Sequence, residues 1–151
     1  MILLNRFIIA QSDSYATALA ELEKGCKKTE WMWFIFPQIK GLGRSSTSRL
    51  YAIADQIEAQ AYLDHSILGE RLRKSTEAIQ AHASMKSAQD ILGRLDAMKF
   101  HSSMTLFSAV SEEEIWSRTI DIFFNGNADP ITLRLMNQFN SFNARRITRA
   151  S

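Results

Sequence analysis

The stretch Trp31-Met32-Trp33-Phe34-Ile35-Phe36-Pro37 decides the fold class. Its aromatic and β-branched content favours a strand, yet six residues ahead of a proline are too few for periodicity to settle the choice. A lone strand leaves its backbone donors and acceptors unpaired, and no other stretch reads as a convincing partner strand. The segment is therefore expected to be a buried helical turn. The chain as a whole is expected to be all-α, a compact array of about six to eight short helices.

The sequence on either side carries helix punctuation. Ser12 or Asp13 can cap a helix with Tyr15, Ala18, Leu19 and Leu22 on one face, and Gly25 suits a left-handed terminator. A helix is expected around Arg49 to Ala54. Asp55 and Glu58 have capping-box-like spacing ahead of Ala59, Ala61, Tyr62 and Leu63. A longer helix is expected to start near Ser66 and to align Leu68, Leu72, Ile79 and Ala83. Gly93 closes a short element, and Leu95 to Val110 reads as a largely buried helix. Ser111 and Glu114 have the spacing of a capping box before a helix that Gly126 ends, and Asp129-Pro130 starts a final one.

Size and composition fit one domain. A chain of 151 residues buries roughly two-thirds of the surface its unfolded form exposes. With 46% hydrophobic residues, nine Phe and three Trp, it has material for a core without disulfide or metal staples. No repeat or Pro/Gly-rich linker interrupts it, so residues 1–142 are expected to form a single helical domain, and 143–151 a basic, disordered tail. Eighteen Lys and Arg against sixteen Asp and Glu give a net charge of +2, too even to point to a nucleic acid or a membrane. One cysteine, Cys26, excludes an internal disulfide framework. The start of the chain carries Arg6 within its apolar run and lacks signal-peptide features, so a cytoplasmic protein is expected. No stretch approaches the length of a membrane span.

Two constellations are candidates for chemistry. From Trp31 to Ser48 the aromatic run leads through Gln38 to Gly41-Leu42-Gly43, then to Arg44 and the hydroxyls from Ser45 onward. Glycines permit close backbone approach to a ligand, Arg44 is a fork donor for an anion, the amides of a following helix could help hold it, and Trp31 or Trp33 could stack on a flat group. The competing reading makes the aromatics core, the glycines a tight turn and Ser45 or Ser46 a cap. Neither a dinucleotide fingerprint nor a P-loop is present. The second constellation is Asp96, Lys99 and Ser103, which share a narrow helical stripe facing either a polar cavity or solvent. Asp96 is the candidate for acid–base work, although no catalytic assignment follows. His65 and Arg71 complete the candidate set, His65 also being a residue of the kind that hydrogen-bonds at a helix boundary. Three scattered histidines and one cysteine show no metal-ligand spacing, so neither a metal nor a cofactor is expected.

These residues resemble a known family. Ala10-Gln11, Tyr15, Glu21-Leu22, Gly25, the Trp31–Gln38 run, Gly41-Leu42-Gly43, Tyr51-Ala52-Ile53, Ala61-Tyr62-Leu63, His65, Arg71-Leu72 and Asp96–Phe107 are similar to the family catalogued as domain of unknown function 1810. The resemblance runs from about Phe7 to Leu135. It implies a compact, mainly helical, stand-alone domain and supplies no activity. Members have been labelled calpastatin-like, and nothing in these residues supports a protease-inhibitor reading. Relatives commonly have His where this chain has Glu30, proline where it has Ser66, and a basic residue where it has Cys26. The expectation is a domain that binds or processes a small, nucleotide-like molecule in an aromatic pocket. The alternative is a non-catalytic module that meets a protein partner through exposed aromatics. A concave site holding Trp33, Gln38 and Lys99 together separates the first from the second.

Overall fold

The computed structural model describes residues 3–139. Nine helical segments follow one another in this range: α1 (Asn5–Lys24), α2 (Met32–Ile35), α3 (Ser46–Leu50), α4 (Gln56–Asp64), α5 (Leu68–Gln80), α6 (Ala88–Leu92), α7 (Arg94–Val110), α8 (Glu114–Phe124) and α9 (residues 130–139). Among the described residues no strand forms, and a single parallel bridge joins Ile39 to Ile53. The fold is all-α, one helix beyond the expected range. The expectation about the 143–151 tail lies outside the described residues.

The Trp31–Phe36 segment is the buried helical turn that its lack of a partner strand required: Met32–Ile35 form one turn, with Trp31, Met32, Ile35 and Phe36 all buried. It docks on α7 through Phe36 and Phe100, whose rings meet edge-on with centroids 4.8 Å apart. Similar contacts link Phe7 to Tyr62 at 5.1 Å, Tyr62 to Phe107 at 5.6 Å and Phe107 to Trp116 at 5.8 Å. Large aromatics from α1, α4, α7 and α8 thus meet in one core, each ring contributing about 1.5–3 kcal/mol by leaving water.

Several cues act as read. Gly25 ends α1 in the left-handed region at φ 73°. Asp55 accepts the Glu58 N–H at 2.9 Å, and Asp129 accepts the Thr132 N–H at 3.1 Å. Five expectations are corrected. The first helix starts at Asn5, well before Ser12, because Phe7 and Gln11 are buried on the face that continues to Ala18 and Leu22; tertiary burial outweighs the missing cap. The helix expected over Arg49–Ala54 is α3, ending at Leu50, since Ile53 is drawn into the bridge with Ile39. His65, not Ser66, serves the start of α5: its Nδ1 accepts the N–H groups of Ile67 and Leu68 at 3.1 and 3.3 Å. Ala83 falls beyond the end of that helix. Ser111 does not cap α8, for its hydroxyl takes the Glu113 N–H just outside the helix.

Candidate functional site

The loop from Phe36 to Ser45 is built on carbonyls and glycines. Ile53 N–H donates to the Gln38 carbonyl and Lys40 N–H to the Ile53 carbonyl, both at 2.8 Å, which ties the loop to the chain leaving α3. Arg6, reaching over from α1, donates to the carbonyls of Leu50 and Ala52 at 2.8 Å and to Glu58 Oε1 at 2.7 Å. Gly41 makes the turn at φ 105°, a conformation that side-chain-bearing residues rarely adopt. At Gly43 the reason for glycine is space, because a Cβ there would sit 2.4 Å from Ser48 Cβ. Ser45 caps α3 by accepting the Ser48 N–H at 3.1 Å. That amide is therefore engaged within the protein, and α3 is only five residues long, so the side chains around it carry the anion argument.

Between this loop and α3 lies a cleft of about 350 Å³, with Trp33, Gln38, Gly41, Gly43 and Arg44 in its lining beside Lys40, Ser48, Arg49 and Tyr51. Three cations and two aromatic rings line it, and no carboxylate does. A hollow of about 230 Å³ adjoins it, sharing Trp33, Gln38 and Gly43 and adding Leu42, Leu95, Met98, Lys99 and Ser102. Trp33 stands between the two. Lys99 Nζ lies 4.2 Å from the centre of its ring, a cation–π contact, and is paired with Asp96 Oδ1 at 3.1 Å. Asp96 Oδ2 holds Lys27 Nζ at 2.9 Å, and Lys27 in turn lies over Trp31 at 5.1 Å. With an ammonium on each oxygen, Asp96 fixes two lysines against two indoles and lines neither cavity.

The remaining candidates lie elsewhere. Trp31 is buried, and its indole N–H donates to Glu21 Oε1 at 3.0 Å, leaving no face for stacking in the cleft. Burial alone would raise the Glu21 carboxyl pKa. The Thr29 hydroxyl, the N–H groups of Lys28 and Thr29, and the Trp31 indole outweigh it and hold the group at about 2. Arg71 stacks over Tyr15 at 4.7 Å and reaches Gln11 Oε1 at 3.4 Å. His65 is occupied with the start of α5. Ser103 is fully buried, and its hydroxyl has no partner among the described residues.

Lys40, Arg49, Tyr51, Leu42, Leu95, Met98 and Ser102 were not among the candidate site residues read from the sequence. A signal for the first two was present: from Trp31 to Ala54 the chain carries Lys40, Arg44 and Arg49 and not one Asp or Glu. Other depressions are less suited to a ligand. One of about 510 Å³ beside Cys26 and Lys28 has no aromatic wall, and in one of about 390 Å³ His101 is stacked on Phe124 at 4.1 Å with Nε2 on the Asn127 carbonyl. Among the described residues no cluster of His, Cys, Asp or Glu is placed to hold a metal ion.

Comparison with known proteins matches residues 2–136 to a family model described as protein of unknown function (DUF1810). Among solved structures the chain is similar to the conserved hypothetical protein Rv1873 from Mycobacterium tuberculosis, with 37% identity and a TM-score of 0.86, over 89% of this chain and 96% of that one. Comparison with curated proteins gave no match.

Proposed function

The chain belongs to the DUF1810 family, whose function is unknown, and from that premise we propose that it is a binding domain for a small, flat anion held in the cleft beside Trp33. One observation carries the reading: Lys40, Arg44, Arg49, Trp33 and Tyr51 converge on about 350 Å³ whose lining holds no acidic side chain. Uncompensated cations around a concave, half-apolar space attract an anion, and the rings favour a planar one. Binding is preferred to catalysis because neither cavity is lined by a carboxylate, histidine or cysteine, and the groups there that could move a proton, Lys40, Tyr51 and Lys99, have no partner base or acid in the lining. The concave hollow that gathers Trp33, Gln38 and Lys99 favours a small molecule over a protein partner. A cytoplasmic location accompanies this reading, because a chain with Cys26 as its one cysteine suits a reducing compartment. No described helix is long and apolar enough to cross a membrane.

The test is calorimetric titration with nucleotides, ADP-ribose, and aromatic phosphates and carboxylates. A binder should lose about tenfold or more in affinity with Arg44→Ala, the scale of one charge-assisted hydrogen bond. Trp33→Ala should weaken it too. If nothing in the panel binds, or if both variants keep every affinity unchanged, the cleft is not the site. A protein captured through Met98 or Leu95 would favour the interaction module instead.

A further inference from the structure

Resting on that reading, we infer that the ligand is an aryl anion, its phosphate or carboxylate head held by Arg44 and Arg49 and its apolar ring seated past Trp33 in the adjoining hollow. At about 230 Å³ the hollow is smaller than small-molecule sites that stand alone, which span about 300–1,000 Å³. It shares Trp33, Gln38 and Gly43 with the cleft and is therefore an annex to it.

The two compartments differ in charge. Among the described residues Lys40, Arg44 and Arg49 make no ion pair, whereas the cation of the hollow, Lys99, is paired with Asp96 at 3.1 Å. A negative head is drawn to the first compartment and gains little in the second.

They differ as well in what remains for hydrogen bonding. The Ser102 hydroxyl is within reach of the Met98 carbonyl at 3.1 Å and Asp129 Oδ2 at 3.2 Å, and the Gln38 amide N–H faces the Lys99 carbonyl at 3.5 Å. With the Ser102 hydroxyl and one Gln38 N–H turned to acceptors of the protein, the hollow offers the polar edge of a nucleobase only Lys99 and the rest of the Gln38 amide. What it has is apolar surface from Leu42, Leu95 and Met98. Leu95 and Met98 are 66% and 61% exposed on the first turns of α7, so that surface stays in water until a ligand covers it. The anion reading alone leaves nucleotides as candidates; the hollow selects against them and for a plain ring.

The experiment compares methyl, phenyl and 1-naphthyl phosphate, the matching series acetate, benzoate and 1-naphthoate, and AMP, on the intact protein. Phenyl phosphate should bind about tenfold or more tightly than methyl phosphate, the gain from covering a ring, and the naphthyl compound more tightly again. The series with the stronger binding identifies the head group. In L95S/M98S, altered at two surface positions and checked for folding by circular dichroism, the phenyl-to-methyl ratio should fall below about threefold. Three results overturn the inference and leave anion binding standing: no gain from ring to ring in the wild type, a ratio unchanged in L95S/M98S, or AMP binding more tightly than 1-naphthyl phosphate. No binding by any compound ends both.

Discussion

At Gly43 the loop passes so close to α3 that a methyl group would have to push Ser48 aside, since the added Cβ would lie 2.4 Å from the serine Cβ and 3.5 Å from the Trp33 ring. Gly43→Ala should cost about 1–3 kcal/mol in urea unfolding through overpacking and should weaken ligand binding by shifting Trp33. Unchanged stability would mean that the loop is loose. Glu21 makes a second residue-scale prediction, about acid. Its carboxyl ionises at about 2 in the fold against an ordinary 4.5, so as pH falls the unfolded chain takes up the proton first. The stabilisation, at most about 3 kcal/mol, is full above 4.5, declines as pH falls toward 2 and is absent below that. The gap in unfolding free energy between wild type and Glu21→Gln should therefore narrow from about pH 6 to about pH 3; a constant gap would show that the carboxylate does not set it. Neither effect was visible beforehand. Gly43 is one of two glycines in Gly41-Leu42-Gly43, and nothing in that spacing says that one turns the chain while the other clears space for a serine five residues on.

Helices were legible where one face is apolar at helical spacing, and their starts were legible where an aspartate caps them, as at Asp55 and Asp129, but not at α1. The start of α1 at Asn5 rests on burial of Phe7, a tertiary effect, while Ser12 and Asp13, which read as caps, lie mid-helix. The start of α5 depends on a histidine ring nitrogen standing in for the usual hydroxyl or carboxylate, the local boundary role that the sequence left open for His65. It can be measured. His65→Ala should destabilise the protein by about 1 kcal/mol, the ordinary worth of a cap, and His65→Asn should restore part of that because its short side chain can accept the same N–H groups. Equal loss in both variants would assign the effect to packing. On α7 the stripe that spacing suggests differs from the one that lines the hollow. Asp96, Lys99 and Ser103 share a face by spacing, but the residues that line the hollow are Leu95, Met98, Lys99 and Ser102, one position back along the helix. Polar side chains drew attention to a face that α7 turns inward at Ser103; the edge along the hollow carries Leu95 and Met98, which read as core.

Across the whole molecule, the two constellations that the sequence holds some sixty residues apart meet: the indole-rich segment packs on α7 through Phe36–Phe100 and Trp33–Lys99. The cationic character of the cleft was hidden by averaging. A net charge of +2 over 151 residues says nothing of a segment from Trp31 to Ala54 that has three cations and no acid. Because that segment is held at both ends by the core, through the bridge of Ile39 to Ile53 and the grip of Arg6 on Leu50 and Ala52, a ligand there should stabilise the whole fold and not just the loop. Mass action sets the size of the effect. At a free concentration of one hundred times Kd, a ligand that ignores the unfolded chain adds about 2.7 kcal/mol. At roughly 2–4 °C per kcal/mol for a domain of this length, Tm should rise by about 5–11 °C. The double variant R44E/R49E, altered at two exposed positions, should melt near the wild type without ligand, because neither side chain is paired among the described residues, and should show no rise with it. An equal rise in both proteins would place the binding elsewhere, and a low melting point for the unliganded variant would mean that the cations hold the loop together by contacts of their own.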